Sequence, residues 1–143
     1  MGQMMAKKKS QTNVTTRDIL QFLTQQGCFV WRQNVLPIPL SRKGILVGYR
    51  SGGRAGIPDI IGVVRKDLLS GVGSGEGGIF LGVEVKTGHD KLRDEQIGFH
   101  QQAQKVGAII LVVKDFEDFL KQWNTLLKLN KSETPTLLDT KAD

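Results

Sequence analysis

The sequence predicts an α/β domain in which helices flank a mixed central β-sheet. Short runs rich in Val, Ile and Phe, which are typical of buried strands, alternate with longer segments whose apolar residues recur at helical spacing. The strand-like runs are residues 28–32, 57–64, 79–86 and 108–113, and the helix-like segments are residues 14–26, 90–106 and 116–129. Their order is α-β-β-β-α-β-α, with residues 45–47 as a short strand or a loop edge. Such an order favours one sheet covered by helices.

The composition excludes several classes of protein. The chain has 143 residues, of which 39% are hydrophobic and 24% charged, as in one globular domain. No apolar run approaches the ~20 residues of a membrane-spanning helix, and the first residues lack the apolar segment of a secretion signal. We therefore expect a cytoplasmic protein that binds no membrane. The single cysteine, Cys28, is expected in the core, and it excludes an internal disulfide and a zinc site of paired cysteines.

The net charge of +6 and the pI of about 9.6 favour an anionic partner. Basic domains bind nucleic acid because each cation on a phosphate releases counterions. A solvated basic surface would give the same net charge, so charge alone leaves both possibilities open.

Both ends of the chain are predicted to be disordered tails around a folded domain of residues 13–130. Residues 1–12 contain three consecutive lysines, and residues 131–143 contain few groups able to pack. A solubilising role and loose contact with phosphate are equally open for the first tail.

Caps and breakers set the other predicted boundaries. Thr15 or Thr16 can cap the first helix, and Gly27 ends it. Pro37 and Pro39 are expected to break any regular element in their stretch.

Glycines and an acid mark boundaries in the second half. The glycines within residues 71–78 predict a flexible turn, and so short a connection favours antiparallel pairing of the strands beside it. They lack the lysine and the following helix of a phosphate-binding loop. Asp90 is the predicted N-cap of the second helix, and Gly107 ends that helix.

Residues 43–56 form a glycine-rich segment with basic residues in and beside it. Glycine allows a backbone to approach a ligand closely, and arginine binds phosphate through two hydrogen bonds. The cations here are Arg42, Lys43, Arg50 and Arg54. An ordinary flexible loop is the alternative, but the position just before Asp59 favours contact with DNA.

Glu84 and Lys86 end one of the apolar strands. Residues two apart share one face of a strand, so these two side chains point together while Val85 points into the core. A buried charge needs a partner, and a simple salt bridge between the two would satisfy both. That alternative is common at strand ends.

Asp59 changes this interpretation because it begins a strand that should lie beside the strand of Glu84. Two carboxylates that converge repel each other unless a cation or a proton lies between them. Oxygen ligands suit Mg²⁺ or Mn²⁺, and the carbonyl of Val85 can complete the set. Such a metal polarises a phosphate and lowers the pKa of bound water, while Lys86 can orient that water.

The segments Gly-Ile-Pro-Asp (56–59), Glu-Val-Lys-Thr-Gly (84–88) and Asp-Lys-Leu-x-x-x-Gln (90–96) resemble the VRR-NUC branch of the PD-(D/E)XK nucleases. The resemblance covers about residues 13–120. It implies a restriction-endonuclease-like fold and a Mg²⁺- or Mn²⁺-dependent DNA endonuclease of replication, recombination or repair. The short stand-alone members are often phage-encoded, which would place the protein in the host cytoplasm. Branched, Holliday-junction-like or duplex DNA is the implied substrate, and a homodimer the implied assembly.

The resemblance also implies roles for individual residues. Asp59, Glu84 and the carbonyl of Val85 would bind the metal, with Lys86 as the catalytic lysine and Gln96 supporting the site from the next helix. Gln96 can instead be an ordinary satisfied polar residue on a buried face. The candidate DNA contacts are Arg32, Arg42, Lys43, Arg50, Arg54 and Lys91.

The first helix departs from the family pattern. The family has a glutamate near the start of this helix, whereas the nearest acid here is Asp18. Whether Asp18 joins the site, and whether one or two metals bind, are left open. Trp31 lines either the DNA side or the core, and His89 and His100 are interpreted as surface residues rather than general bases.

Two alternatives to a nuclease remain. One is a DNA-binding module on the same fold that has lost catalysis, for which the missing helix glutamate is the motive. The other is a structural basic domain in which Glu84 and Lys86 form only a salt bridge.

Overall fold

The structure, a computed structural model, describes residues 10–33, 37–50, 52–70 and 77–132. Its elements are α1 (Gln11–Gln25), β1 (Phe29–Arg32), β2 (Ile38–Arg42), β3 (Ile45–Arg50), β4 (Ile60–Arg65), α2 (Lys66–Ser70), β5 (Gly78–Val85), α3 (Asp94–Lys105), β6 (Ile109–Val113) and α4 (Phe116–Ser132). A four-stranded sheet has the order β1-β4-β5-β6, and β2 and β3 form a two-stranded sheet of their own. In the larger sheet β5 and β6 are parallel and the other neighbours antiparallel. The predicted mixed sheet with flanking helices is confirmed.

The element order matches the prediction once the β2–β3 hairpin and the short α2 are set aside. The antiparallel pairing predicted across the glycine-rich connection is confirmed for β4 and β5. Residues 71–76 of that connection lie outside the described residues, as do residues 1–9 and 133–143 of the predicted tails. Residues 11–12 and 131–132, which were assigned to those tails, belong to α1 and α4.

One apolar core joins the sheet to α1 and α4. On β5 the buried side chains of Leu81, Val83 and Val85 belong to this core. They meet residues of the two helices, namely Ile19, Leu23, Phe119 and Trp123. Burying each such side chain contributes about 1.5–3 kcal/mol. Cys28 lies in this core as expected, and β5 is thereby held with its other face, which carries Glu84, turned towards α3.

The predicted N-caps of two helices were wrong. Ser10, not Thr15 or Thr16, caps α1, because its side chain accepts the Asn13 backbone N–H at 3.1 Å, while both threonines are buried inside the helix. Arg93, not Asp90, is the residue before the first turn of α3.

Pro37 and Pro39 do not prevent regular structure, since β2 spans Ile38–Arg42. The strand tolerates Pro39 because a two-stranded hairpin has open edges, where the missing N–H costs no ladder bond. None of the described helices is long and apolar enough to cross a membrane.

Candidate active site

The register of β4 and β5 brings Asp59 beside Glu84. Ile60 lies opposite Val83, so Asp59, the residue before β4, lies next to Glu84 near the end of β5. The Oδ2 atom of Asp59 accepts the backbone N–H of Val85 at 2.8 Å, and its carbonyl accepts the N–H of Gln33 at 2.7 Å. Asp59 is therefore held at both its side chain and its backbone.

Glu84 is a buried carboxylate whose two oxygens have different surroundings. The residue is only 3% exposed. Its Oε1 accepts a hydrogen bond from Nε2 of Gln96 at 2.8 Å, and Nζ of Lys86 lies 3.9 Å from the same oxygen. Its Oε2 is buried with no hydrogen-bond partner among the described residues. A buried acceptor without a partner is costly, so this oxygen is suited to a ligand.

Burial raises the pKa of Glu84 from 4.5 to about 8. The charge of the Asp59 carboxylate adds to the rise, whereas Lys86 and Arg93 lower the pKa. The charged form of the Glu84 carboxylate is therefore disfavoured beside the Asp59 carboxylate, which is the condition that a bound cation relieves.

Gln96 links this carboxylate to the start of α3. Its Nε2 donates to Glu84, and its Oε1 accepts the backbone N–H of Arg93 at 2.9 Å. The amide is 4% exposed and is satisfied at both ends. Gln96 therefore caps α3 and orients Glu84 with the same amide group. A satisfied polar residue on a buried face and a residue that supports the site would both make these contacts.

Lys86 lies between two acids. Its side chain is 13% exposed, and Nζ lies 3.9 Å from Glu84 and 3.8 Å from Oδ2 of Asp90. Its backbone N–H donates to the carbonyl of Val113 at 2.8 Å, which anchors the residue to β6. Asp90, predicted as a helix cap, is thus a partner of Lys86.

The Gly-Ile-Pro-Asp segment has steric reasons for two of its residues. Gly56 has a φ of +84°, and a Cβ there would lie 2.1 Å from the carbonyl oxygen of Glu95. Pro58 is fully buried and packs over Gly82, where a Cβ would lie 2.9 Å from the proline ring. These contacts place the segment against both α3 and β5, and they fix the approach of the chain to Asp59.

A cleft of about 430 Å³ opens over the two carboxylates. Besides Asp59, Glu84 and Gln96, its lining includes Gln33, Arg54, Arg93 and Glu95. Arg54 donates to Oε1 of Gln102 at 2.9 Å and lies 5.6 Å from the centre of the Phe99 ring. Of the predicted DNA contacts, Arg54 is the one that lines the cleft.

Sequence reasoning missed Arg93 and Glu95. Arg93 and Glu95 were assigned to the interior of a helix expected to start at Asp90, and the true start at Asp94 brings them to the cleft. The sequence offered half of a helix-start signal: Gln96 is a residue type found at the third position of a capping box, but Arg93 is not a usual N-cap residue.

The other predicted DNA contacts lie outside the cleft lining. Arg32 donates to Oδ1 of Asn13 near the start of α1. Lys91 is exposed in the loop before α3, and the remaining cations lie exposed on the β2–β3 hairpin, namely Arg42, Lys43 and Arg50.

Asp18 does not join the site. It pairs with its neighbour Arg17 at 3.5 Å and lines a separate surface pocket with Phe22 and Phe116. The acid that the first helix was expected to supply is therefore absent from the described cleft.

The aromatic and histidine predictions had mixed outcomes. Trp31 is 44% exposed and packs edge-on against Phe29, so it is not a core residue. His89 is exposed, as expected. His100 is not a surface residue: it is 6% exposed on α3, and its Nε2 has no hydrogen-bond partner among the described residues. Burial, with the nearby Lys86 charge, lowers the pKa of His100 and favours the neutral ring.

The cleft contains few side chains that could hold a divalent metal. Within the described ranges, no three His, Cys, Asp or Glu side chains converge in a group that could hold a metal by themselves. Two carboxylates do meet, however, and Oε2 of Glu84 is unpartnered. Mg²⁺ keeps several waters and needs few protein ligands, so Asp59, Glu84 and the carbonyl of Val85 fit such an ion.

Comparisons of the chain with protein-family models, with curated proteins and with solved structures found no match.

Proposed function

We propose that the protein is a Mg²⁺- or Mn²⁺-dependent DNA endonuclease with a restriction-endonuclease-like fold. The observation that carries the proposal is the buried Glu84 carboxylate, which lies beside Asp59 with one oxygen unpartnered. A salt bridge alone does not account for this arrangement, because Lys86 contacts the other oxygen of Glu84 and only at 3.9 Å.

Each residue of the site has a proposed part in hydrolysis of a phosphodiester by in-line attack of water. Asp59, Glu84 and the Val85 carbonyl hold the metal, which when bound polarises the phosphate and lowers the pKa of water. Lys86 orients the attacking water and offsets charge on the phosphate oxygens. Gln96 keeps Glu84 in place.

Two arginines of the cleft have a proposed part in binding the substrate. Arg54 and Arg93 line the cleft with the carboxylates, and guanidinium groups bind phosphate through paired hydrogen bonds. Their positions support a phosphodiester as the ligand of this cleft.

The resemblance to VRR-NUC nucleases extends the proposal to branched or Holliday-junction-like DNA in replication, recombination or repair. A small domain with one site cuts one strand, so a homodimer is the proposed assembly for cutting two.

The test combines metal binding with cleavage. Calorimetry with Mn²⁺ and incubation of a four-way junction with Mg²⁺ compare the wild type with Asp59→Asn, Glu84→Gln and Lys86→Met. We expect the two acid variants to lose Mn²⁺ binding and all three to lose cleavage by a factor of at least about 10². Glu117→Gln is the matched control, because Glu117 is an exposed acid in the first turn of α4.

Full cleavage by all three variants would reject the proposal. Absence of Mn²⁺ binding in the wild type, with unchanged stability in Asp59→Asn, would instead favour a structural basic domain.

The second candidate is a DNA-binding module on the same fold with weakened catalysis. It is favoured by the absence of Asp18 from the cleft and of a three-ligand group among the described side chains. DNA binding without cleavage across several metals and DNA shapes would select this candidate.

A further inference from the structure

We propose that the β2–β3 hairpin is a DNA-binding arm that recognises the branch point of branched DNA. The inference deepens the proposed function and rests on it for the type of nucleic acid. It assigns selectivity for DNA structure to an element outside the cleft.

The arm exposes apolar side chains that nothing in the described structure covers. Its two strands form a sheet separate from the central one. Its apolar side chains are between 37% and 69% exposed, and they are Ile38, Leu40, Ile45, Leu46, Val47 and Tyr49. Six exposed apolar side chains on one short hairpin indicate a binding partner.

The charge of the arm selects nucleic acid as that partner. Between Asp18 and Asp59 the sequence contains no acidic residue, and its cations are Arg32, Arg42, Lys43, Arg50 and Arg54. The arm carries Arg42 and Lys43 at its tip and Arg50 at its base. The same arm on a second copy of the chain would bring like charges together, whereas a phosphate backbone complements them.

The tip combines cations with an apolar point. Lys43 and Gly44 have φ angles of 54° and 76°, as in a two-residue hairpin turn, and Arg42 pairs with Ile45 across it. Asparagine or glycine would adopt this positive φ at position 43 with less strain. The lysine found there instead adds a positive charge at the tip. Ile45 and Leu46 follow directly and are 69% and 55% exposed. Proteins that insert apolar wedges between base steps flank them with cations in this way.

A branch point is the DNA feature that such a tip fits best. In continuous duplex each base pair is stacked on both faces, so insertion of Ile45 or Leu46 requires unstacking. A branch leaves base-pair faces open, and aliphatic side chains can cover them without that cost. The arm joins the cleft along the chain, because β3 ends at Arg50 and Arg54, four positions later, lines the cleft. Strands of this length reach about 17–20 Å from their base.

The test measures binding separately from cleavage. Fluorescence anisotropy in EDTA gives the Kd of the full chain for a three-way junction and for a linear duplex of equal length. We expect the double variant I45S/L46S to bind the junction about tenfold more weakly and the duplex within about twofold of the wild type. The double variant R42Q/K43Q should lose affinity for both DNAs, with a salt slope lower by about two.

Val106→Ser is the matched apolar control, since Val106 is 86% exposed on the C-terminal side of α3, outside the arm. Circular dichroism checks that each variant is folded. An unchanged junction preference in folded I45S/L46S would overturn the inference, as would a wild type without that preference. Light scattering that shows I45S/L46S converting a dimer to a monomer would also overturn it, because the arm would then serve a second copy. Lack of cleavage in Mg²⁺ alongside an arm-dependent junction preference would reject only the nuclease function.

Discussion

Glu84 both destabilises the fold when it is charged and lies at the centre of the candidate site. Its carboxylate is buried next to a second acid, and the Gln96 amide fixes its position without neutralising it. The raised pKa of about 8 means that the charged form of this carboxylate destabilises the fold. Such strain is typical of functional sites, where a ligand supplies the missing charge.

The pH dependence of stability follows from this shift. The folded-state pKa of Glu84 lies above its ordinary value of 4.5, so the folded chain binds an extra proton between these values. Its contribution to stability is full below about pH 4.5 and is lost as the pH rises to about 8, by up to about 1.4 kcal/mol per pH unit. Urea denaturation in EDTA should show this decline in the wild type and a flatter profile in Glu84→Gln.

Glu84→Gln should therefore be more stable than the wild type at pH 8 and similar to it near pH 4. Glu117→Gln serves as the control at an exposed acid and should follow the wild type. Parallel profiles for Glu84→Gln and the wild type would contradict a raised pKa at this residue.

At the scale of elements, the cleft depends on how the loop before β4 packs against α3. Gly56 touches the first turn of α3 so closely that a Cβ would lie 2.1 Å from a backbone oxygen. Pro58 packs over Gly82 on β5 in the same way. The loop is thus held by a backbone contact at Gly56 and by the Pro58 ring against β5, and Arg54, two residues before Gly56, lines the cleft.

Two glycine-to-alanine changes test this packing. Gly56→Ala combines a clash with a φ of +84°, so we expect it to lower the free energy of unfolding by at least about 2 kcal/mol. Gly98→Ala within α3 meets nothing within 4 Å and should raise it by about 0.5–1 kcal/mol. Urea denaturation of both variants measures the difference. Equal effects would show that the loop does not pack on α3 as described.

At the scale of the whole molecule, the charge is unevenly distributed. The net charge is +6, yet the stretch between Asp18 and Asp59 has cations only. This stretch contributes β1, the arm and the cleft-lining Arg54, whereas α4 carries both signs. A stretch with cations only favours binding of a polyanion.

The salt dependence of DNA binding can distinguish a role of these particular cations from an effect of net charge alone. The double variant R32Q/R54Q should reduce the slope of log Kd against log salt for duplex DNA by about two, because each lost phosphate contact removes about one unit. The control K121Q/K128Q removes the same charge from exposed positions on α4 and should leave the slope nearly unchanged. Equal reductions in both variants would show that net charge alone governs binding.

Local pattern determined much of this protein from the sequence. The alternation on residues 79–86 predicted that Glu84 and Lys86 share the face opposite the core, and the strand register then brings Asp59 to the same place. Gln96 was predicted from the resemblance of residues 90–96 to a family motif, and its hydrogen bond to Glu84 places it beside the cleft carboxylates. The periods of strands and helices determine which side chains share a face, and these periods can be read from consecutive residues of the sequence.

Only the tertiary structure decided which distant residues complete the cleft. The positions of Arg54, Arg93 and Glu95 depend on a glycine contact between the loop and α3, and no periodicity encodes such a contact. The exclusion of Asp18, the burial of His100 and the separate β2–β3 arm likewise follow from how elements pack. Packing depends on the shapes of elements that are far apart in the sequence. Local pattern therefore predicted the carboxylates Asp59 and Glu84, whereas the tertiary structure decided which residues line the cleft around them.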